Sequence, residues 1–209
     1  MPARRFALEL LRGRCDGEMS DYTPSIVDAE FEQDLFLALA EGRGLILVTG
    51  PTGQGKTTAI QRALADARCP RDVAFVGDIR GDVTDVHRAM QLARDRPVVA
   101  VMRSGEGAGV FARLMDMGVP ARELADHVST LFRLRLVRRT ESERVLIHER
   151  LVVTDAISEL IRASADPVVV QRQARADGMR TIREVGMAYV QAGVLAEIDV
   201  TYMTPGDLW

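Results

Sequence analysis

The residues best suited to chemistry are four that share one short loop. Gly50, Gly55, Lys56 and Thr57 match the pattern G-x-x-x-x-G-K-[ST]. In this pattern the glycines let the backbone curl so that successive N–H groups point at an anion. The lysine reaches the β- and γ-phosphates of a nucleotide, and the hydroxyl holds Mg²⁺. The spacing therefore predicts a phosphate-binding loop.

The loop needs a strand before it and a helix after it, and the sequence supplies both. Residues 44–50, GLILVTG, are apolar without alternation, which is typical of a buried parallel strand. A helical pattern runs from Lys56 to about Arg68 and ends before Pro70. This helix would aim the positive end of its dipole at bound phosphates. The predicted nucleotide-binding residues are Gly50, Pro51, Thr52, Gly53, Gln54, Gly55, Lys56, Thr57 and Thr58.

A carboxylate follows the next apolar strand, DVAFVGDI, at Asp78. Ligands of open α/β sheets bind at the carboxyl ends of the strands, so Asp78 is expected beside the loop. We predict that Asp78 and Thr57 contact Mg²⁺, and that Asp78 and Lys56 are the catalytic pair. The alternative is that Asp78 only caps the following helix. Arg80 is placed either near this site, in a subunit contact, or in solvent.

Strands and helices alternate up to Gly105 at the spacing of βαβ units, which predicts an α/β fold with a parallel sheet. A helix with Phe31, Leu35 and Leu39 on one face should precede the sheet and stop at Gly42. After Gly105 the sheet signal fades. Residues 107–118 and 120–139 are predicted as two helices, residues 143–155 as a strand, and residues 155–193 as three short helices. The resulting division is 1–42, a short N-terminal segment and helix; 43–150, the nucleotide-binding core; and 151–209, a helical subdomain.

Composition argues against several classes of function. The net charge is −3 and aromatic residues make up 5% of the chain, so nucleic acid is not an expected partner. No apolar run approaches the length of a membrane span, and the first residues lack the features of a signal peptide. Cys15 and Cys69 lie far apart without metal-binding spacing. We expect a cytoplasmic protein that does not insert into a membrane.

Four segments of the chain carry a resemblance to a known family. They are GLILVTGPTGQGKTT, DVAFVGDIRGDVTDVHRAMQLA, GVFARLMDMGVPARELADHVSTLFRLRLVRR and LVVTDAISELIRASADPVVVQRQARADGMRTIREVGMAYVQAG. These segments resemble the traffic ATPases of type II secretion and type IV pili, the GspE/PilB/PilT type, and cover most of residues 43–195 in the order of that family. The phosphate loop is shared by many families, whereas the third and fourth segments are more specific to this one.

The resemblance implies a RecA-like P-loop NTPase core that binds ATP and Mg²⁺, with a C-terminal helical subdomain. It implies a ring, either a homo-oligomer such as a hexamer or a hetero-ring with a full-length homologue. It also implies work with the membrane platform protein of a pilus or secretion system, at the inner membrane through that partner. If a ring forms, four arginines of the predicted helix 120–139 are candidates for contacts between subunits, the alternative being that they face solvent: Arg133, Arg135, Arg138 and Arg139.

The chain also departs from the family pattern. About fifteen residues separate Thr58 from the strand at Val73, which leaves no room for the acidic box of the family. Asp78 stands where the family has glutamate, and MRSG at 102–105 stands where it usually has a histidine-bearing LHTN. The tetracysteine zinc insert is absent, and most of the N-terminal domain is expected to be missing. His87, His127 and His148 are expected to have structural roles.

These departures leave three hypotheses open. The first is an ATPase, with weak hydrolysis, that works in a pilus or secretion assembly. The second is a nucleotide-binding subunit that does not hydrolyse ATP and has a regulatory or structural role. The third is a small-molecule kinase, for which residues 138–144, RRTESER, offer a lid candidate.

Overall fold

The phosphate-loop strand lies in the middle of a five-stranded sheet. A computed structural model describes residues 26–66, 68–70, 72–79, 82–104 and 107–204. The strands in chain order are β1 (Gly44–Gly50), β2 (Ala74–Ile79), β3 (Pro97–Arg103), β4 (Val128–Arg138) and β5 (Arg144–Val152). Their order across the sheet is β2-β3-β1-β4-β5. Four strands run parallel and β5 is antiparallel to β4, so the predicted α/β fold with a mostly parallel sheet is confirmed.

Helices cover both faces of this sheet. Those before β4 are α1 (Ile26–Leu39), α2 (Lys56–Ala65), α3 (Val83–Ala93), α4 (Gly109–Asp116) and α5 (Ala121–His127). Those after β5 are α6 (Asp155–Arg162), α7 (Pro167–Ala176), α8 (Ile182–Gln191) and α9 (Glu197–Met203). Within the described residues, the segment after β5 therefore contains one more helix than the three predicted.

Both faces of β1 are buried, which explains its unbroken apolar sequence. Leu45 and Leu47 pack into the core on one side of the sheet, whereas Ile46 and Val48 pack into the core on the other. A strand covered on both faces needs apolar residues at every position. Because β1 is central, the loop that follows it lies at the middle of the carboxyl edge of the sheet.

The helix α1 forms as predicted, with Phe31, Leu35 and Leu39 all buried. Gly42 follows its end with a φ of 79°, a conformation that favours glycine after a helix. These three side chains pack with β1 and β4 in one core cluster. Helix α1 thereby closes the face of the sheet that α2 also covers.

The prediction of helix over residues 120–139 is wrong beyond His127. Only Ala121–His127 is helical, and Val128–Arg138 is the strand β4. Strand β4 pairs in parallel with β1, with Leu131 opposite Leu47. An apolar run interrupted by arginines fits a helix and a doubly buried strand about equally well by periodicity. Pairing with β1 decides between them, because an unpaired central strand would leave its backbone N–H and C=O groups unsatisfied.

Because residues 128–138 form a strand, the four arginines predicted as possible subunit contacts lie in different surroundings from those of a helix surface. Arg133 and Arg135 are 7% and 6% exposed, so they face the interior of the chain instead of a neighbouring subunit. Arg138 Nε donates to Asp199 Oδ1 at 3.1 Å, which ties β4 to α9. Arg139 belongs to the turn between β4 and β5, where its N–H donates to the carbonyl of Glu143 at 2.9 Å. Residues 138–144, suggested as a lid, thus form the end of a hairpin.

The helices after β5 pack directly against the sheet. Ile157, Ile161 and Val170 share a core cluster with residues of β1 and β3. Ile182 and Val200 join Val137, Val145 and Ile147 of the hairpin in a smaller cluster. The boundary proposed at residue 150 stays a prediction. Across the described ranges, no helix has both the length and the apolar composition needed to cross a membrane.

Candidate nucleotide site

The phosphate loop joins β1 to α2 through two glycines that no other residue could replace without strain. Gly55 has a φ of 68° and stands at the N-terminal cap of α2. Gly50 has a φ of 149°, and a Cβ placed there would lie 2.6 Å from the carbonyl oxygen of Leu134. Strand β4 therefore approaches the loop too closely for any side chain at position 50.

Strand β4 also holds the loop by hydrogen bonds. Leu136 donates its backbone N–H to Gln54 Oε1 at 2.6 Å. Thr49 Oγ1 donates to the carbonyl of Phe132 at 3.0 Å, and this bond is buried. The loop is thus fixed at both ends by a strand about eighty residues away in sequence.

Lys56 folds over the loop from the first position of α2. Its side chain is buried, with 6% exposed, and Nζ donates to the carbonyls of Gly50 at 2.7 Å and Pro51 at 2.6 Å. Burial lowers the pKa of Lys56, and the positive charges of Arg103 and Arg135 lower it further, whereas Asp78 raises it. An ammonium has three N–H donors, and these bonds use two of them. Lys56 can therefore hold the loop and still donate to a ligand.

The loop borders a cavity of about 230 Å³. Asp78 reaches it from the end of β2 and Arg103 from the end of β3, although 25 residues separate the two in sequence. Arg103 Nε donates to Asp78 Oδ2 at 2.9 Å. The cavity is lined by Thr52, Gly53, Gln54, Gly55, Lys56, Thr57, Thr58, Asp78, Val101 and Arg103.

The structure brings most of the predicted site residues together. Residues 52–58 and Asp78 line one cavity, while Gly50 and Pro51 contribute the carbonyls that hold Lys56. Arg80 lies outside the described residues. Asp78 is not the cap of the following helix. Asp82 caps α3, because its side chain accepts from the N–H of Thr84 at 2.8 Å.

The three histidines have partners away from the cavity. His87 Nδ1 lies 3.2 Å from Glu123 Oε2, and His127 Nδ1 lies 2.8 Å from the carbonyl of Glu123. His148 Nε2 donates to Asp34 Oδ2 at 2.8 Å. None of them lines the cavity.

Sequence reasoning missed two contributors to the site. The sequence places Arg103 only within the segment that replaces a family histidine, and it does not predict the contact of Arg103 with Asp78. Arg135 is predicted as a candidate for a contact between subunits, yet its charge acts on Lys56 from β4. The available signal for Arg103 was its position directly after the apolar run of β3, because residues at the carboxyl ends of parallel strands meet at one edge.

The donors that line the cavity suit a Mg²⁺–nucleotide complex. Thr57 offers a hydroxyl and Asp78 a carboxylate, which are oxygen ligands of the kind Mg²⁺ prefers. In the part of the chain that the structure describes, no three His, Cys, Asp or Glu side chains gather into a metal cage. Mg²⁺ commonly takes one or two protein ligands and completes its octahedron with phosphates and water. The site therefore fits the metal as part of a nucleotide complex.

Comparison with known proteins finds similarity to ATPases of two related machineries. No family model matches it. The type II secretion system protein HxcR of Pseudomonas aeruginosa is 27% identical over 222 positions, which cover 74% of this chain and 47% of HxcR. The type IV pilus assembly ATPase PilB of the same organism is 23% identical, over 84% of this chain and 46% of PilB. The chain thus spans about half the length of the curated relatives it matches.

The alignment with HxcR is longer than the chain itself, 222 positions against 209 residues. HxcR must therefore contain internal segments without a counterpart here, in keeping with the short connection between the phosphate loop and β2.

Solved structures share the fold. The ATPase DotB of Legionella pneumophila superposes with a TM-score of 0.70 at 15% identity, covering 88% of this chain and 66% of DotB. The pilus retraction motor PilT with bound ADP gives a TM-score of 0.69 at 20% identity, covering 91% of this chain and 69% of PilT. At these identities the likeness concerns the fold.

Proposed function

We propose that the chain is an ATPase related to those of type II secretion and type IV pili, and that it binds ATP with Mg²⁺ and serves an assembly of that kind. The observation that carries the proposal is the cavity at the carboxyl edge of the sheet. A complete phosphate loop, a buried lysine and a carboxylate all border it.

Each residue would act on a different part of the nucleotide. The N–H groups of the loop and the ammonium of Lys56 hold the phosphates, since both donate to anions. Thr57 and Asp78 would hold the Mg²⁺, which neutralises phosphate charge when it is bound. The cations Lys56, Arg103 and Arg135 outnumber the carboxylate of Asp78 around the loop, which favours an anionic ligand.

A second candidate is a subunit that binds ATP without hydrolysing it. Among the described residues that line the cavity, Asp78 is the only carboxylate, and it is paired with Arg103. Hydrolysis by P-loop ATPases needs a group that positions the attacking water in addition to the Mg²⁺ ligands. Because Asp78 is assigned to the Mg²⁺, a described lining with a single carboxylate favours slow turnover or none.

We further propose that the protein is cytoplasmic and oligomeric. The proposed assembly is a hexameric homo-oligomer or a mixed ring with a longer homologue, docked on the membrane platform protein of a pilus or secretion system. Native mass spectrometry with and without ATP tests the ring. A species that stays monomeric with ATP bound would contradict the homo-oligomer.

The decisive measurement is ATP binding and phosphate release by the purified protein, with Lys56→Ala as the blank. We expect Lys56→Ala to weaken ATP binding by at least about tenfold, because it removes a charged donor to the phosphates. Arg62→Ala is the matched control, since Arg62 lies on the same helix, outside the cavity lining.

The possible results separate the hypotheses. Turnover that Lys56→Ala abolishes and Arg62→Ala retains supports an active ATPase. Binding without turnover supports the second candidate. The absence of any ATP binding that depends on Lys56 would overturn the proposed function.

A further inference from the structure

The pair formed by Arg103 and Asp78 stands at the place where a metal ligand is expected. Asp78 lines the cavity with a side chain that is 21% exposed, and its Oδ1 is buried, so Oδ2 is the more accessible of its two carboxylate oxygens. That same Oδ2 accepts the bond from Arg103 Nε at 2.9 Å. A guanidinium and a divalent cation cannot occupy the same side of one carboxylate oxygen, because their charges repel each other.

Arg103 is free to move away from Asp78. Its side chain is 54% exposed, against 21% for Asp78, so the arginine can move without disturbing the core. Its long side chain starts at the end of β3, beside the cavity that the phosphate loop borders. A partly exposed ion pair contributes little to stability, whereas a Mg²⁺–carboxylate contact beside phosphates is much stronger. The exchange of one partner for the other is therefore energetically accessible.

We propose that Arg103 is a positioning residue that pairs with Asp78 in the nucleotide-free protein and yields it to Mg²⁺ when the nucleotide binds. The freed guanidinium then lies close enough to the loop to pair with the terminal phosphate of ATP. Arg103 thus sets the Mg²⁺ requirement of the site and its preference for a triphosphate over a diphosphate. This inference rests on the proposed nucleotide binding.

An arginine suits both roles for a chemical reason. Guanidinium pairs with carboxylate and phosphate oxygens through the same planar set of N–H donors. Its charge persists at every physiological pH, so a partner change needs no proton transfer. Arg103 can therefore exchange a carboxylate for a phosphate without a change in its own state.

A natural control lies at the other end of the same strand. Arg96 directly precedes β3, and its Nη1 lies 3.2 Å from Asp72 Oδ1, in a pair whose side chains are 43% and 69% exposed. Arg96→Gln removes the same charge as Arg103→Gln and also breaks one exposed ion pair. Neither Arg96 nor Asp72 lines the cavity.

The test measures ATP and ADP affinity by calorimetry across a series of Mg²⁺ concentrations. We expect Arg103→Gln to lower the half-saturating Mg²⁺ concentration by about threefold to fivefold, because Asp78 loses a competitor. The same variant should lose about threefold or more of the preference for ATP over ADP. Arg103→Lys should retain part of that preference, since it keeps the charge and loses the planar donors.

Arg96→Gln should leave both quantities as in the unmodified protein. Suppose that the unmodified protein binds ATP in a Lys56-dependent way. If Arg103→Gln then changes neither the Mg²⁺ dependence nor the preference for ATP over ADP, this inference is overturned and the proposed function stands. If the unmodified protein shows no such binding, the proposed function and this inference fall together. Circular dichroism of each variant confirms that the fold is retained.

Discussion

A single lysine stands out among the basic residues of this chain. Lys56 is the only lysine in the sequence, and the other 26 of its 27 basic residues are arginines. A compact ammonium carries its three donors on one atom and so meets two converging loop carbonyls at 2.6 and 2.7 Å, whereas a guanidinium spreads its donors over a plane. At the residue scale, the phosphate loop is therefore the one place where the chain departs from its general use of arginine.

Lys56→Met should raise the stability of the nucleotide-free protein while removing ATP binding. The pKa of Lys56 is lowered chiefly by burial, so the charged form destabilises the folded state. The expected gain is about 1 kcal/mol near neutral pH. It should shrink as the pH rises through the lowered pKa towards about 10.4, the usual lysine value.

Thermal unfolding without nucleotide, at several pH values, checks this prediction. A fall in melting temperature of several degrees would contradict it, and would mean that the two carbonyl bonds outweigh the cost of burial. Lys56→Gln, which keeps a donor without the charge, separates these two contributions.

The start of α8 illustrates how single elements are secured. Thr181 Oγ1 accepts from the N–H of Glu184 at 3.2 Å, and Glu184 Oε2 accepts from the N–H of Thr181 at 2.8 Å. The intervening N–H of Ile182 donates to the buried Glu149 Oε2 at 2.9 Å. This capping box was readable from the T-x-x-E spacing at 181–184. The bond from Ile182 to Glu149 of β5 could not be read from the sequence in this way, because the two residues are 33 positions apart.

Thr181→Ala should lower the free energy of unfolding by about 1 kcal/mol, the usual cost of losing a capping side chain. Thr181→Ser should lower it much less, because the hydroxyl is retained. Urea denaturation of the three proteins measures the difference. Equal losses for alanine and serine would show that packing of the threonine methyl group, which is buried, matters more than the cap.

At the element scale, β4 is the segment that sequence patterns misassigned. Its buried arginines suggested the polar face of a helix. In the structure, Arg133 lies 3.7 Å from Glu149 of β5, so β4 keeps a charge inside by pairing it across the hairpin. A buried charge is tolerated only with a partner of this kind, and the partner becomes visible only when β4 and β5 are aligned.

At the scale of the whole molecule, α1 joins the edge of the sheet to the helices that follow it. Asp34 accepts from His148 at 2.8 Å and from Arg150 at 3.4 Å, both on β5. Tyr189 of α8 donates to Glu30 Oε2 at 2.6 Å, and burial raises the pKa of that phenol. Phe31 packs edge-on against Phe132 of β4 with ring centroids 5.4 Å apart. Residues at the beginning and the end of the described chain thus stabilise one common unit.

Asp34→Asn should lower the free energy of unfolding by about 1 kcal/mol at pH 7, the size of a partly exposed charged hydrogen bond. The hydrogen bond from His148 holds the pKa of Asp34 below its usual value. The stabilisation is therefore present above about pH 3.9, the value for an unfolded chain, and is lost as the pH falls through the lowered pKa.

Urea denaturation at pH 7, 5 and 3 checks the prediction, with Asp72→Asn as a control for an exposed ion pair. A difference between the unmodified protein and Asp34→Asn that persists unchanged at pH 3 would contradict the assignment.

The sequence by itself determined the phosphate loop, the strand and helix around it, and the resemblance to traffic ATPases. Those features depend on contiguous residues, because glycine, lysine and threonine act through the backbone conformation of one short segment. Only the tertiary structure decided that β4 is a strand, that Arg103 pairs with Asp78 and that Leu136 holds Gln54. Each of these depends on which strands become neighbours, and that order follows from the burial of the whole sheet, which no local pattern contains.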